Sequence, residues 1–214
     1  MPRILSVGLQ KAGIIGGRQQ YPPIAKCSIG AASPEYFNGR DENHALVSGK
    51  NMSNHTTTLF LFSGKIAAGK STLANSLAAQ RSTVLISQEH WLSKLFPDEI
   101  STLDDYVSCS ARLRDAIGPH VVSLLQEGLS VVMDFPANTR QQRQWLREIF
   151  EAADVHHELH FIDVPNDVCK NRLRDRNKSG RHAFQPSEAD FDLFTRFFVP
   201  PTDVEGFNIT IHQT

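Results

Sequence analysis

Cysteines are few in the sequence, and no long hydrophobic segment is present. The three cysteines, Cys27, Cys109 and Cys169, are widely spaced, so they form no zinc-binding pair and cannot all be joined in disulfide bonds. This usage is typical of a reducing compartment, and we expect a cytoplasmic protein. No apolar run approaches the roughly 18 residues that a membrane-spanning helix needs, so we expect no association with a membrane.

An excess of charge of either sign is also absent. The formal net charge is −1 over 214 residues, so the chain lacks the basic footprint of a nucleic-acid-binding protein. Residues 57–214 carry 16 basic and 20 acidic side chains. This slight acidic excess argues further against a nucleic-acid substrate. The length suits one domain of ordinary size.

The first 56 residues lack a sustained hydrophobic period. They contain seven glycines and scattered prolines, with six basic and three acidic side chains. Such a composition cannot bury enough apolar surface to order itself. We therefore predict that residues 1–56 are a disordered N-terminal extension, with Met52 as a possible alternative start, and that residues 57–214 form the folded domain.

The segment GKIAAGKS, residues 64–71, matches the phosphate-binding P-loop pattern in full. Its glycines allow backbone angles that let successive N–H groups surround phosphate oxygens, and the following helix adds the positive end of its dipole. The pattern predicts that Lys70 reaches the β- and γ-phosphates of ATP and that Ser71 holds Mg²⁺. The expected nucleotide-binding residues are Gly64, Lys65, Ile66, Ala67, Ala68, Gly69, Lys70, Ser71 and Thr72.

The context of this loop fits a bound nucleotide. Residues 59–62, LFLF, are typical of a strand buried on both faces, and Leu73 and Leu77 begin a helical stripe after the loop. The alternative, a glycine-rich turn without a ligand, is disfavoured by this strand–loop–helix order.

Strands and helices alternate along the rest of the chain, which predicts a parallel sheet with helices on both faces. We expect an α/β, three-layer P-loop NTPase fold with five parallel strands and its ligands at their carboxyl ends. Cap pairs predict two of the helices, and Gly128 is predicted to end another. The further predicted strands are 83–86, 131–133, 159–164 and 207–211, and the predicted helices are 103–117, 119–127, 139–152, one from Pro165, and one capped by Ser187 and Asp190 that carries Phe191, Phe194 and Phe198.

Acidic residues follow the second and third predicted strands. Glu89, in SQEHW, can accept a proton from an attacking hydroxyl group, although an acid there also suits a helix start. Asp134, in VVMDFPAN, resembles an acid that binds Mg²⁺ through water, although aspartate also suits a turn. For His90 and Asn138 we favour cap or turn roles.

A basic helix follows the fourth predicted strand. Arg172 and Arg176 are four residues apart and share a helix face with Leu173. Arginine suits bidentate contacts with phosphate, so we expect both to contact phosphates, although a solvated basic face is the alternative. Arg174 is predicted to be solvated. A short basic lid is expected to continue from the helix through Lys178, Gly180 and Arg181.

The segment HHELH, residues 156–160, does not predict a metal site. The zinc motif H-E-x-x-H needs two histidines on one helix face, with the glutamate directly after the first. No glutamate follows His156 directly, and the segment enters a predicted strand.

Together these motifs resemble a family of small P-loop kinases that includes zeta toxins, chloramphenicol phosphotransferase and the kinase domains of polynucleotide kinases. The likeness is greatest to bacterial proteins catalogued as "AAA family ATPase" or predicted kinases, and it covers residues 57–214. The resemblance implies an arginine-bearing lid and a catalytic acid after the second strand. That acid is commonly aspartate, whereas this sequence has Glu89. The motifs are GKIAAGKS, SQEHWL, VVMDFPANT, DVPNDVCKNRLRDRN and FVPP…GFNI.

Other P-loop classes fit less well. A GTPase needs N-K-x-D, and the sequence from Asn177 fails at the fourth position. An AAA+ motor needs paired acids after the third strand, but Phe135 follows Asp134. No transporter signature of the LSGGQ type is present.

The sequence thus predicts an ATP- and Mg²⁺-dependent phosphotransferase acting on a hydroxyl group of a small molecule. Lys70, Glu89, Arg172 and Arg176 are the expected catalytic residues, and Ser71 and Asp134 the expected metal ligands. The alternatives are an ATP-binding regulatory module and a kinase of nucleic-acid ends. Candidates for the acceptor pocket, which suit packing equally well, are Trp91, Tyr106 and Arg112.

Overall fold

A computed structural model describes residues 56–178 and 185–213. The described elements all lie within one compact unit, Asn51–Thr214. The strands are β1 (Thr58–Ser63), β2 (Thr83–Ser87), β3 (Ser130–Pro136), β4 (His156–Asp163) and β5 (Ile209–Gln213). The helices are α1 (Lys70–Ala78), α2 (Gln88–Leu95), α3 (Leu103–Gln126), α4 (Arg140–Ala153), α5 (Asn166–Lys178) and α6 (Glu188–Arg196).

The five strands form one parallel sheet in the order β2-β3-β1-β4-β5. Every residue of β1 is buried, as expected for the central strand of a sheet covered on both faces. The predicted α/β fold with five parallel strands is therefore confirmed. No helix in the described part of the chain is long and apolar enough to cross a membrane.

Two hydrophobic cores lie on opposite faces of the sheet because alternate side chains of β1 point to opposite sides. Leu59 and Leu61 pack in the core that α2, α3 and α4 cover. Phe60 and Phe62 pack in the core that α1, α5 and α6 cover. This three-layer arrangement places the loops that follow β1, β2 and β3 along the same edge of the sheet.

The predicted helix caps are confirmed. The hydroxyl groups of Thr139 and Ser187 accept hydrogen bonds from backbone amides in the first turns of α4 and α6, and both sites form complete capping boxes. Gly128, just beyond α3, has φ +82°, a left-handed conformation that favours glycine at the end of a helix.

The predicted break between residues 117 and 119 is wrong, because α3 is one helix of 24 residues with Pro119 inside it. A proline within a helix costs about 3 kcal/mol or more. The helix continues because its apolar side chains before and after the proline, including Ile117 and Val121, are buried against the sheet.

Several predicted boundaries also differ from the structure. Strand β4 begins at His156, three residues before the predicted start, and β5 is displaced by two residues toward the C-terminus. Helix α6 ends at Arg196, so Phe198 lies beyond it. Phe198 packs near the Phe161 ring instead, with 6.2 Å between the ring centroids.

The predicted N-terminal extension lies outside the described residues up to position 55, as do Gly180 and Arg181 of the predicted lid. We expect a variant that begins at Met52 to melt at the same temperature as the full chain and to bind ATP equally well. The reason is that all the described strands and helices lie beyond that residue. A lower melting temperature or weaker ATP binding after truncation would show that the removed segment packs on the domain.

Candidate active site

The phosphate loop connects β1 to α1 and has three residues with positive φ. Gly64 and Gly69 have φ +155° and +116°, and Ala67, at φ +60°, adopts a left-handed conformation that is rare for alanine. A side chain at Gly64 would also place its Cβ 2.9 Å from the carbonyl oxygen of Ile162 on β4. Glycine is therefore required at the first position of the loop for space as well as for conformation.

Lys70 closes the loop from inside. Its Nζ donates hydrogen bonds to the carbonyl oxygens of Gly64 at 2.7 Å and Lys65 at 2.8 Å. Burial of this ammonium group lowers the pKa of Lys70 from 10.5 to about 8, although the negative charge of Asp134 opposes the shift. The ammonium group thus lies at the phosphate loop, and its contact with the β- and γ-phosphates stays a prediction.

The affinity for MgATP should fall as the pH rises above about 8. The negatively charged triphosphate favours protonated Lys70, which predominates only below its pKa of about 8 in the free protein. Binding above that pH must take up a proton, so the affinity should fall by up to about tenfold per pH unit. Calorimetry in buffers with different ionisation enthalpies measures this uptake. Lys70→Arg, which stays protonated, should lack the dependence, and a flat wild-type profile up to about pH 9 would rule out this role.

Asp134, near the end of β3, lies between the phosphate loop and β2. The hydroxyl groups of Ser71 and Ser87 lie beside its carboxyl group. Burial raises the pKa of Asp134, and the nearby charge of Glu89 adds to this shift, whereas Ser71 and Lys70 oppose it. The structure thus brings together Ser71 and Asp134, the two predicted metal ligands.

These two side chains fit Mg²⁺. Magnesium in phosphotransfer sites takes one or two protein oxygens and completes its octahedron with water and substrate phosphates. A hydroxyl group and a carboxylate beside a phosphate loop supply such oxygens. Within residues 56–178 and 185–213, no cluster of three or more His, Cys, Asp or Glu side chains could hold a metal.

Glu89 lies in the first turn of α2, close enough to Asp134 and Tyr106 for its charge to raise the pKa of each. The side chain that caps this helix is that of Ser87, whose Oγ accepts from the amide of His90 at 3.5 Å. The Glu89 side chain is exposed and is not needed as the cap. Ser87 thus fills the cap role, and the proton-accepting interpretation of Glu89 stays a prediction.

The predicted arginines of α5 lie in different surroundings. Arg172 donates from Nη1 to the carbonyl oxygen of Ala68 in the phosphate loop at 3.1 Å. Arg176 is half-buried, and its charge contributes to the lowered pKa of Lys70, which places it near the same site. Arg174 pairs with Glu188 at 2.5 Å and is half-exposed, consistent with the predicted solvated role.

Replacing Arg172 or Arg176 with alanine should lower turnover about tenfold or more, with a smaller loss of ATP affinity. Both lie beside the phosphate loop, where we predict that they stabilise charge in transfer. Arg174→Ala is the matched control, since Arg174 pairs with Glu188 in an exposed ion pair. Steady-state kinetics with ATP as the varied substrate separates the two effects. If all three variants show the same turnover and ATP affinity, the basic side of this helix is only a solvated surface.

Helices α2 and α3, which follow β2, carry further residues near Glu89. Gln88, which the sequence did not single out, is buried and donates to the Tyr106 hydroxyl at 2.7 Å. The Tyr106 ring meets Phe194 of α6 edge-on, with 6.5 Å between centroids. Of the residues predicted to line the pocket for the phosphate acceptor, Tyr106 is therefore one that contacts the direct neighbour of Glu89 in the sequence.

The other two acceptor candidates have less connection to the site. Arg112 pairs with Glu99 at 2.7 Å and lies over the Phe96 ring, so a packing role explains it. Trp91 is 37% exposed. His157 of HHELH has structural contacts. Its ring stacks on Phe150 with 3.7 Å between centroids, and it accepts a hydrogen bond from the Asn208 amide.

Two further residues at this edge were missed or given another role from the sequence. Asn138, expected to be a turn or cap residue, accepts at Oδ1 from the Gly64 amide at 2.9 Å. Arg143 is fully buried and forms a double hydrogen bond with Glu205, at 2.6 and 2.9 Å. Only the spacing of Arg143 from the cap residue Thr139 hinted that it lies on the inner face of α4.

The comparisons with known proteins agree with this geometry. A family model described as "AAA domain" matches residues 59–201. The chain belongs to this family. The match spans the phosphate loop, Glu89, Asp134 and the arginines of α5, so the whole site lies within the family's domain.

One protein is similar to this chain in sequence. The chain is 28% identical over 162 residues to the bifunctional enzyme NodQ of Rhizobium meliloti, covering 70% of this chain and 24% of NodQ. The chain thus spans about a quarter of the length of that relative.

Solved structures extend the comparison. A candidate kinase from Chloroflexus aurantiacus is 22% identical, with a TM-score of 0.61 over 74% of this chain and 89% of that one. Chaetomium thermophilum Kti12, in complex with ADP-AlF3, is 14% identical, with a TM-score of 0.55 over 73% and 88%. These likenesses confirm the predicted P-loop NTPase fold.

Proposed function

We propose that the protein is an ATP- and Mg²⁺-dependent kinase that phosphorylates a hydroxyl group of a small molecule. The observation that carries this proposal is the meeting of Lys70, Ser71, Asp134 and Glu89 at the carboxyl ends of β1, β2 and β3. Supporting it, Ser71, Lys70 and Glu89 all lie close enough to the Asp134 carboxyl group to influence its pKa. A site that only binds ATP needs the first three but has no need of Glu89.

The residues divide the work of phosphoryl transfer between them. The loop amides and Lys70 hold the β- and γ-phosphates, and Ser71 and Asp134 would hold Mg²⁺, which neutralises phosphate charge when bound. Arg172 and Arg176 stabilise negative charge from the side of α5. Because both arginines adjoin the loop and not α2, the side facing Glu89 and Tyr106 is left for the acceptor.

The reaction needs one group that takes up a proton. The hydroxyl oxygen of the small molecule forms a bond to the γ-phosphorus while the bond from that phosphorus to the β–γ bridging oxygen breaks, and ADP leaves. The hydroxyl proton passes to the Glu89 carboxylate. Glu89, at the start of α2, can orient that hydroxyl group because the neighbouring residue, Gln88, is fixed by its hydrogen bond to Tyr106.

A screen of metabolite extract tests the proposal. The full chain is incubated with extract and MgATP, and mass spectrometry looks for compounds that gain one phosphate. Lys70→Ala, which should lose the phosphate contacts, is the negative control. If wild type binds ATP but yields no phosphorylated compound beyond that control, the protein is an ATP-binding module instead. Transfer to the end of an added oligonucleotide would identify a nucleic-acid-end kinase.

A further inference from the structure

Asn138 is fixed by three separate parts of the fold. Its Oδ1 accepts from the amide of Gly64, the first residue of the phosphate loop, at 2.9 Å. Its backbone amide donates to Gln142 Oε1 on α4 at 2.9 Å. Its carbonyl oxygen accepts from the amide of Val199, in the segment after α6, at 2.8 Å. A residue that only terminates a turn needs no bond to the phosphate loop.

The contact with Gly64 determines which way the side-chain amide faces. A backbone N–H can only donate, so the atom that meets it must be the oxygen Oδ1. The nitrogen Nδ2 is attached to the same carbon, and its two N–H groups therefore lie beside the entrance of the phosphate loop. The hydrogen bonds that Asn138 makes use its Oδ1, its backbone amide and its carbonyl oxygen.

Arg143 makes the position of this amide rigid. Its Nη1 donates to the carbonyl oxygens of Ala137, the residue before Asn138, at 2.9 Å and of Val199 at 2.8 Å. The backbone on both sides of the Asn138–Val199 hydrogen bond is thus held by one buried guanidinium group. Donors that are fixed before the reaction stabilise developing negative charge without reorganisation.

We propose that Asn138 is a further catalytic residue, whose Nδ2 donates a hydrogen bond to the phosphoryl group in transfer while its Oδ1 holds the phosphate loop. The proposal rests on the kinase function proposed above. It assigns the two halves of one amide to different tasks: the oxygen to positioning Gly64, and the nitrogen to the charge that develops on the γ-phosphate oxygens.

Asn138→Asp separates the two tasks. A carboxylate keeps an acceptor for the Gly64 amide, so the melting temperature should stay at the wild-type value. It lacks the donor, so turnover at saturating MgATP should fall at least about tenfold, toward the 10²–10³-fold typical of a lost oxyanion donor.

Asn138→Ala is the comparison variant, since it loses both tasks without adding charge. It should lower the melting temperature as well as turnover. If Asn138→Asp restores melting temperature, MgATP affinity and turnover to wild-type values at neutral pH, Asn138 is only a tether for the loop and the proposal is wrong. The readout is basal ATP hydrolysis, and a wild-type protein without hydrolysis or transfer would defeat the kinase function itself.

Discussion

Replacing Glu89 with glutamine should lower phosphotransfer about 10²-fold, the scale of lost general-base help, and leave the affinity for MgATP unchanged. Glutamine keeps the size of the side chain but can no longer take the proton of an attacking hydroxyl group. The structure places Glu89 next to Asp134 and at the start of α2, outside the phosphate loop that binds the nucleotide. Turnover and nucleotide affinity should therefore separate in this variant.

Calorimetry with MgATP and an assay of basal hydrolysis check this prediction before the acceptor is known. His90→Gln, the next residue along α2 and also exposed, is the matched control and should behave like wild type. Wild-type hydrolysis and transfer in Glu89→Gln would mean that the carboxylate has no part in the chemistry. Loss of MgATP affinity would instead place Glu89 among the groups that bind the nucleotide.

Replacing Arg143 with alanine should destabilise the protein by on the order of 3 kcal/mol, the lower end of the range for a broken buried ion pair, because Glu205 still reaches solvent. The change leaves Glu205 without its double hydrogen bond and the carbonyl oxygens of Ala137 and Val199 without their donor. Denaturant unfolding measures the loss. The double variant Arg143→Met/Glu205→Leu should recover only part of it, since those carbonyl oxygens stay unpaired.

The same ion pair should make stability depend on pH in acid. Hydrogen bonds from Arg143 lower the pKa of Glu205 below its ordinary 4.5. The unfolded chain then binds this proton more readily, so the stabilisation is fully present above the ordinary pKa and is lost as the pH falls through the lowered one. The difference in stability between wild type and Arg143→Ala should narrow over that range. A difference that stays constant in acid would show that the packing of Arg143, and not its charge, is what stabilises the fold.

The sequence predicted those parts of the fold that depend on interactions between residues close together in the chain. The P-loop spacing, the buried run before it and the cap pairs at Thr139 and Ser187 each act within a few residues, and the structure confirms the elements they predict. Pro119 also gave a local signal, and that prediction was wrong. Burial of the surrounding helix against the sheet outweighs the cost of one proline, and this burial depends on residues distant in the sequence.

The site was predictable to the same degree. Lys70, Ser71 and Asp134 follow from motif and strand position, and they meet in the structure. Asn138 was taken for a turn residue because its partner, Gly64, lies 74 residues earlier in the chain. Arg143 and Glu205 are 62 residues apart. Such distant pairs produce no recognisable pattern in the sequence, since only the folded parallel topology brings the two residues together.

The central position of β1 has a consequence for how the domain comes apart. This strand is paired on both sides and buried on both faces, so its amides should exchange with deuterated solvent only when the whole domain unfolds. Strands β2 and β5 lie at the two edges and can open locally at lower cost. Because the phosphate loop starts directly from β1, fraying at the edges should leave nucleotide binding intact. Binding should then be lost only in the global transition, as an all-or-none property of the domain.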